Sequence, residues 1–84
     1  TLLASLKKKE FTNVKNWVVQ HMDNDPSMVM RKIYDSIYGV LKPASIPEAV
    51  LIIAKYMRDI QIVPDQEVNM LACLTEIMMS CEFK

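Results

Sequence analysis

The sequence predicts an all-α fold, a compact five-helix bundle, on three observations. Apolar residues make up 51% of the chain and recur mostly at spacings of three and four, the period of a helix with one buried face. A single glycine stands against seven methionines, and methionine is a good helix former where glycine marks turns. The four prolines all fall where the apolar period starts or stops, as expected of a residue tolerated in the first helical turn but not in the interior.

The 84 residues form one domain, residues 1–84, because a second core would need at least about 50 residues more. A chain this short buries roughly 60% of its unfolded surface. Its stability is therefore small, and a partner surface would add to it.

The first helix covers Thr1 to Lys8, carries Leu2, Leu3 and Leu6, and ends in Lys7, Lys8 and Lys9, where cations suit a helix C-terminus. The lysine run reads as a solvated helix end. Thr12 is the expected cap of a second helix whose inner face is Val14, Trp17, Val18, His21 and Met22, with Trp17 as its anchor. Asp25 caps a third helix, and Pro26 occupies its first position. Its inward stripe is Met30, Ile33, Tyr34, Ile37, Val40 and Leu41, and the stop comes at Lys42-Pro43, since a residue before proline avoids the α region. Met28 and Tyr38 lie off the stripe.

Ser45-Ile46-Pro47-Glu48 reads as a capping box, serine at the cap and glutamate three residues on. The fourth helix is apolar nearly all round from Ala49 to Met57, as expected of a central helix buried on several sides. Asp59 to Val63 is a link. The fifth helix starts at Pro64-Asp65-Gln66-Glu67 and runs to about Glu82, with Met70, Leu71, Leu74, Ile77, Met78 and Cys81 on one face. Val68, Ala72 and Met79 widen that face, which fits either a second contact surface or a deeply embedded helix.

Chemistry-bearing patterns are missing. Ten acidic and ten basic residues leave no net charge to attract a phosphate backbone. The turn between helices two and three could suit a DNA-reading unit, but helix three offers only Arg31 and Lys32 as cations. Gly39 is the single glycine, so no phosphate-cradling loop exists. His21 is the single histidine, too few ligands for a zinc site and without a nucleophile beside it. Asp23 and Asp25 read as turn and cap residues. Cys73 and Cys81 sit eight residues apart on one helix, about 12 Å between backbones. That is too far for a disulfide, so reduced thiols in a cytosolic compartment are expected. The longest apolar run, Ala49 to Ala54, is far short of the ~20 residues of a membrane span. The first residue, Thr1, is not a methionine, which fits a fragment of a longer protein.

The order of signals then matches a known pattern: Ser5-Leu6-Lys7-Lys8-Lys9-Glu10-Phe11, Asp25-Pro26-Ser27-Met28-Val29-Met30-Arg31-Lys32-Ile33-Tyr34, Ile46-Pro47-Glu48, and Glu67-Val68-Asn69-Met70-Leu71-Ala72. Across essentially all its length the chain resembles the C-terminal collar domain of clamp-loader subunits, the replication factor C small-subunit family. It is similar within that group to the large subunits of the sliding-clamp loaders of T-even-type phages. The family often has a Gly-x-Asn-Glu turn before its last helix. Here Val63-Pro64-Asp65-Gln66-Glu67 retains the glutamate, lacks the asparagine, and is stiffened by proline.

The resemblance implies an oligomerisation domain that holds AAA+ ATPase subunits in a ring for DNA replication. Its partners would be neighbouring clamp-loader subunits, with the sliding clamp and primer-template DNA reached only through the parent complex. This fragment would carry no active site and no cofactor; ATP and magnesium would belong to upstream domains. The expected location is the cytoplasm, that of the host if the source is viral. Met28, Tyr38, Val68 and Met79 are the subunit-interface candidates. Two alternatives stay open: a free-standing helical adaptor binding a partner helix through a methionine-rich groove, and a small thiol enzyme using Cys73 or Cys81.

Overall fold

The computed structural model describes residues 2–84. It contains α1 (Leu2–Lys7), α2 (Phe11–Gln20), α3 (Pro26–Ile37), α4 (Ile46–Asp59) and α5 (Gln66–Ser80), with a single 3-10 turn, Pro43–Ser45, leading into α4. The expected fold of five helices is the observed one. The first predicted residue of helix one, Thr1, lies outside the described residues.

The five helices make two packed pairs, α1 with α2 and α3 with α4, and α5 packs against all four. Sequence neighbours α2 and α3 share little packing with each other. One hydrophobic cluster fills the space between, with Leu6, Val14, Val18, Met30, Ile37, Leu41, Met70, Leu74 and Ile77 essentially sealed from solvent. The radius of gyration, 11.7 Å, is that of a close-packed chain of this length.

The expectation that helix four is the central helix is overturned. Only Ala49, Ile52 and Ile53 of α4 are buried, and Leu51 is 73% exposed. The central position belongs to α5, which buries Asn69, Met70, Cys73, Leu74, Ile77 and Met78. Apolar residues around the whole of α4 reflect composition, whereas burial follows which elements lie beside it. Asn69 and Cys73 were not on the predicted face. Asn69 is tolerated in the core because its Nδ2 donates to Tyr56 O at 3.3 Å, satisfying a group that would otherwise be costly to bury.

Helix two begins one residue before its predicted cap. Phe11 is its first residue, Thr12 lies inside, and Glu10 at the cap position makes no side-chain capping bond. The cause is the preceding turn. Lys9 adopts φ 57°, Lys9 N–H donates to Leu6 O at 3.2 Å, and Glu10 N–H donates to Ser5 O at 2.9 Å. These are the two bonds of a Schellman ending with its left-handed residue, so the lysine run includes the hinge of the chain reversal as well as a solvated end.

Asp25 caps α3 as expected, accepting from Ser27 N–H at 2.9 Å with Pro26 in the first turn. The helix ends at Ile37, earlier than Lys42, and tightens through bonds from Gly39 and Val40 to Ser36 and Ile37. Leu41 nonetheless stays fully buried, because it pairs with Phe83 in an isolated antiparallel bridge. Lys42 N–H donates to Glu82 O and Lys84 N–H to Val40 O. The last residues of α5's continuation are thus tied across the α3–α4 connection.

That tie explains why the capping box at Ser45 does not form. Ser45 has helical φ −91° and ψ −12° and makes no cap bond to α4. Its Oγ instead accepts from Glu82 N–H at 2.8 Å. The cap of α5 is Asp65, which accepts from Val68 N–H at 3.1 Å, so the helix starts after Pro64 and ends at Ser80, two residues short of Glu82. The link between α4 and α5 is a turn, closed by Gln66 Nε2 donating to Ile60 O at 2.9 Å.

Two substitutions test this construction. Lys9→Gly is expected to raise stability by about 1 kcal/mol by relieving a left-handed non-glycine residue, read from urea unfolding midpoints. Leu74→Ala removes a fully buried side chain from the hub and is expected to cost about 3 kcal/mol, enough to leave the chain largely unfolded at ambient temperature; an unchanged midpoint would refute the hub assignment.

Candidate interaction surfaces

Two grooves stand out on the surface, and neither holds clustered catalytic groups. The first runs along the outward side of α5. It is lined by Phe11, Val68, Leu71, Ala72, Thr75, Glu76, Met79 and Ser80, and a smaller hollow at Val63, Pro64 and Asp65 continues it through Val68 and Ala72. Val68 is 61% exposed and Met79 66%. Spacings of three and four from Val68 through Leu71, Ala72 and Thr75 to Met79 put these side chains on one face, opposite the residues that form the core.

The second groove lies between α2 and α3, where those helices share little packing. Its lining includes Trp17, His21, Asn24, Asp25, Met28, Val29, Arg31, Lys32, Asp35 and Ser36. Trp17 and His21 are one helical turn apart and stack with ring centroids 4.0 Å apart. His21 Nδ1 sits 2.8 Å from Trp17 O. A carbonyl can only accept, so Nδ1 carries the proton of this contact.

The four interface candidates therefore do not share one surface. Val68 and Met79 line the α5 groove, Met28 lines the α2–α3 groove, and Tyr38 lines neither. Tyr38 instead belongs to a cluster on α3: its ring meets Tyr34 edge-on at 5.3 Å, and the two hydroxyls lie 2.9 Å apart. Arg31 sits over the Tyr34 ring at 5.0 Å and pairs with Asp35. The shared hydrogen bond, followed by burial, raises the Tyr38 pKa. Phe11 and Leu71 are lining residues absent from the candidates. A helix capped at Thr12 leaves Phe11 outside it, and Leu71 lies on the helix-five face that the spacing groups with Met70 and Leu74.

At the rim of the α5 groove, Glu76 accepts from Lys55 Nζ at 2.9 Å and from Tyr56 Oη–H at 2.8 Å. This ties α4 to α5. The Lys55 bond, then the Tyr56 bond, hold the Glu76 carboxyl below its usual range, while burial and the Glu76 bond push Tyr56 up to about 12.

Both cysteines are free and buried. Burial pushes the Cys73 thiol up to about 12 and also raises Cys81, the opposite of what a nucleophilic thiolate needs. Among the described residues, no group of three or more His, Cys, Asp or Glu could hold a metal ion, and no helix is long and apolar enough to cross a membrane.

No family model matches the chain, and no curated protein is significantly similar to it. Function is therefore read from the fold and its surfaces.

The Glu76 tie gives a pH signature. A depressed carboxyl pKa contributes stability that is present above the ordinary value of 4.5 and lost as pH falls through the lowered one. The raised Tyr56 pKa contributes stability that is complete below its ordinary value of 10.0 and lost as pH rises towards about 12. Thermal melts of Glu76→Gln should show a shallower acid-side loss than the unsubstituted chain; parallel acid limbs would refute the assignment. Iodoacetamide at neutral pH should label Cys73 and Cys81 only after denaturation.

Proposed function

We propose that the chain is an assembly domain of the clamp-loader collar type, which holds AAA+ ATPase subunits side by side in a ring during DNA replication. The observation that carries this reading is the exposed apolar groove on the outward side of α5, where Phe11, Val68 and Met79 are exposed together rather than singly. The five-helix architecture and the order of sequence motifs support the same reading. In this reading ATP and magnesium would be held by other domains of the parent subunit.

In this reading Val68 and Met79 contact a neighbouring subunit, joined by Phe11 and Leu71. Met28 and Tyr38 stand apart from that contact. Sliding clamp and primer-template DNA are met only through the assembled complex, in the cytoplasm. The methionines do not favour a partner helix in a methionine-rich groove: Met30, Met70 and Met78 are in the core, and Met28 and Met79 lie in separate grooves.

Light scattering of the parent subunit with and without residues 1–84 tests the assembly role, and an unchanged ring without them would overturn it. The pair Val68→Glu and Met79→Glu tests the surface. Each removes apolar burial worth about 1.5–3 kcal/mol, so assembly should weaken at least ~10-fold while the circular dichroism of the isolated chain stays the same. Retained assembly would mean that another face makes the contact.

A further inference from the structure

Burial sorts the sulfur atoms of this chain. Both cysteines are buried, and Met30, Met70 and Met78 are sealed in the core, whereas Met28 is 71% exposed and Met79 66%. Met78 and Met79 are neighbours on α5, yet Met78 is only 3% exposed. One step along a helix turns the side chain by about 100°, here from the core to the groove. A thioether needs no deprotonation before it reacts, so exposure decides which methionine an oxidant meets first.

The groove around Met79 is a poor host for a polar group. Phe11, Val68, Leu71 and Ala72 line it without polar side-chain atoms. Thr75 Oγ1–H already donates to Leu71 O at 2.7 Å, and the Glu76 carboxylate only accepts, held by Lys55 and Tyr56. Of the lining side chains, Ser80 alone keeps an uncommitted donor among the described residues, at the last position of α5. A sulfoxide oxygen covered by a neighbouring subunit would lose the hydrogen bonds that water gives it, at a cost to binding.

We propose that Met79 is a redox-sensitive modification site whose sulfoxide closes the α5 groove to the neighbouring subunit. This rests on the groove being the assembly contact. A peroxide supplies the oxidant: its O–O bond breaks, one oxygen forms the S–O bond, the other leaves as water, and the sulfur gives up two electrons. A methionine sulfoxide reductase using a dithiol reverses the step, removing the oxygen as water and leaving a disulfide. Assembly covers Met79, so oxidation acts on the free subunit and controls entry into the ring.

The 84-residue chain treated with hydrogen peroxide, its peptides sequenced by tandem mass spectrometry, should gain sulfoxide at Met28 and Met79 at least ~10-fold faster than at Met30, Met70 and Met78. Equal rates at the adjacent Met78 and Met79 would overturn the proposal. Light scattering of the parent subunit reads the consequence, each variant being compared with itself before peroxide. Met28→Leu, which keeps Met79, should lose assembly at least ~10-fold on oxidation and regain it with a sulfoxide reductase and dithiothreitol. Met79→Leu, close in volume and inert to peroxide, should not change on treatment. Equal losses in the two variants would overturn the proposal. Val68→Glu separates this site from the assembly reading: if it weakens assembly and Met79 oxidation does not, the redox site alone falls, and if neither does, both fall.

Discussion

The burial of α5 is the constraint on which the rest of this protein depends. Each of the other four helices packs against α5, and the two helix pairs meet through it more than through each other. A chain with a core this small has few kcal/mol of net stability. Concentrating Met70, Cys73, Leu74 and Ile77 on one helix lets a single element serve all four neighbours. The cost is that α5 must be apolar on more than one side, and the part of its surface that no helix covers becomes the Phe11–Met79 groove. Core and candidate contact surface are two sides of one amino-acid distribution.

Polar side chains fix how the helices sit around that hub. Asn69 and Gln66 take up backbone carbonyls at the end of α4 and in the link that follows, and Glu76 joins Lys55 and Tyr56 across the α4–α5 contact. Ser45 and the bridge from Leu41 to Phe83 close the far end. These bonds are individually modest. They are directional where apolar packing is not, and so they set register among helices that could otherwise slide.

Much of this was legible in the sequence, and the failures have a common cause. The Asp25-Pro26 start of α3 and the inner faces of α2, α3 and α5 follow from local spacing and capping chemistry, which are properties of neighbouring residues. The capping box at Ser45 failed because a residue 37 positions away, Glu82, takes its hydroxyl. Helix four was misjudged as central because its composition does not say which elements surround it. The start of α2 was missed because a lysine in left-handed conformation performs the turn usually given to glycine. Of the interface candidates, Val68 and Met79 share a groove as helical spacing on α5 required. Their separation from Met28 and Tyr38 depends on how the two helix pairs are placed around α5, which no local pattern encodes.

The position of the hub in the chain has a consequence for synthesis. Leu6 of α1 is fully buried, and α1 packs on α5, whose first residue is Gln66. At about 5–20 residues per second, the first helix emerges several seconds before the helix it needs. Throughout that interval the first four helices can cover one another only pairwise, and the faces that α5 buries stay open. The core can close only after α5, the last helix to be made, has been added.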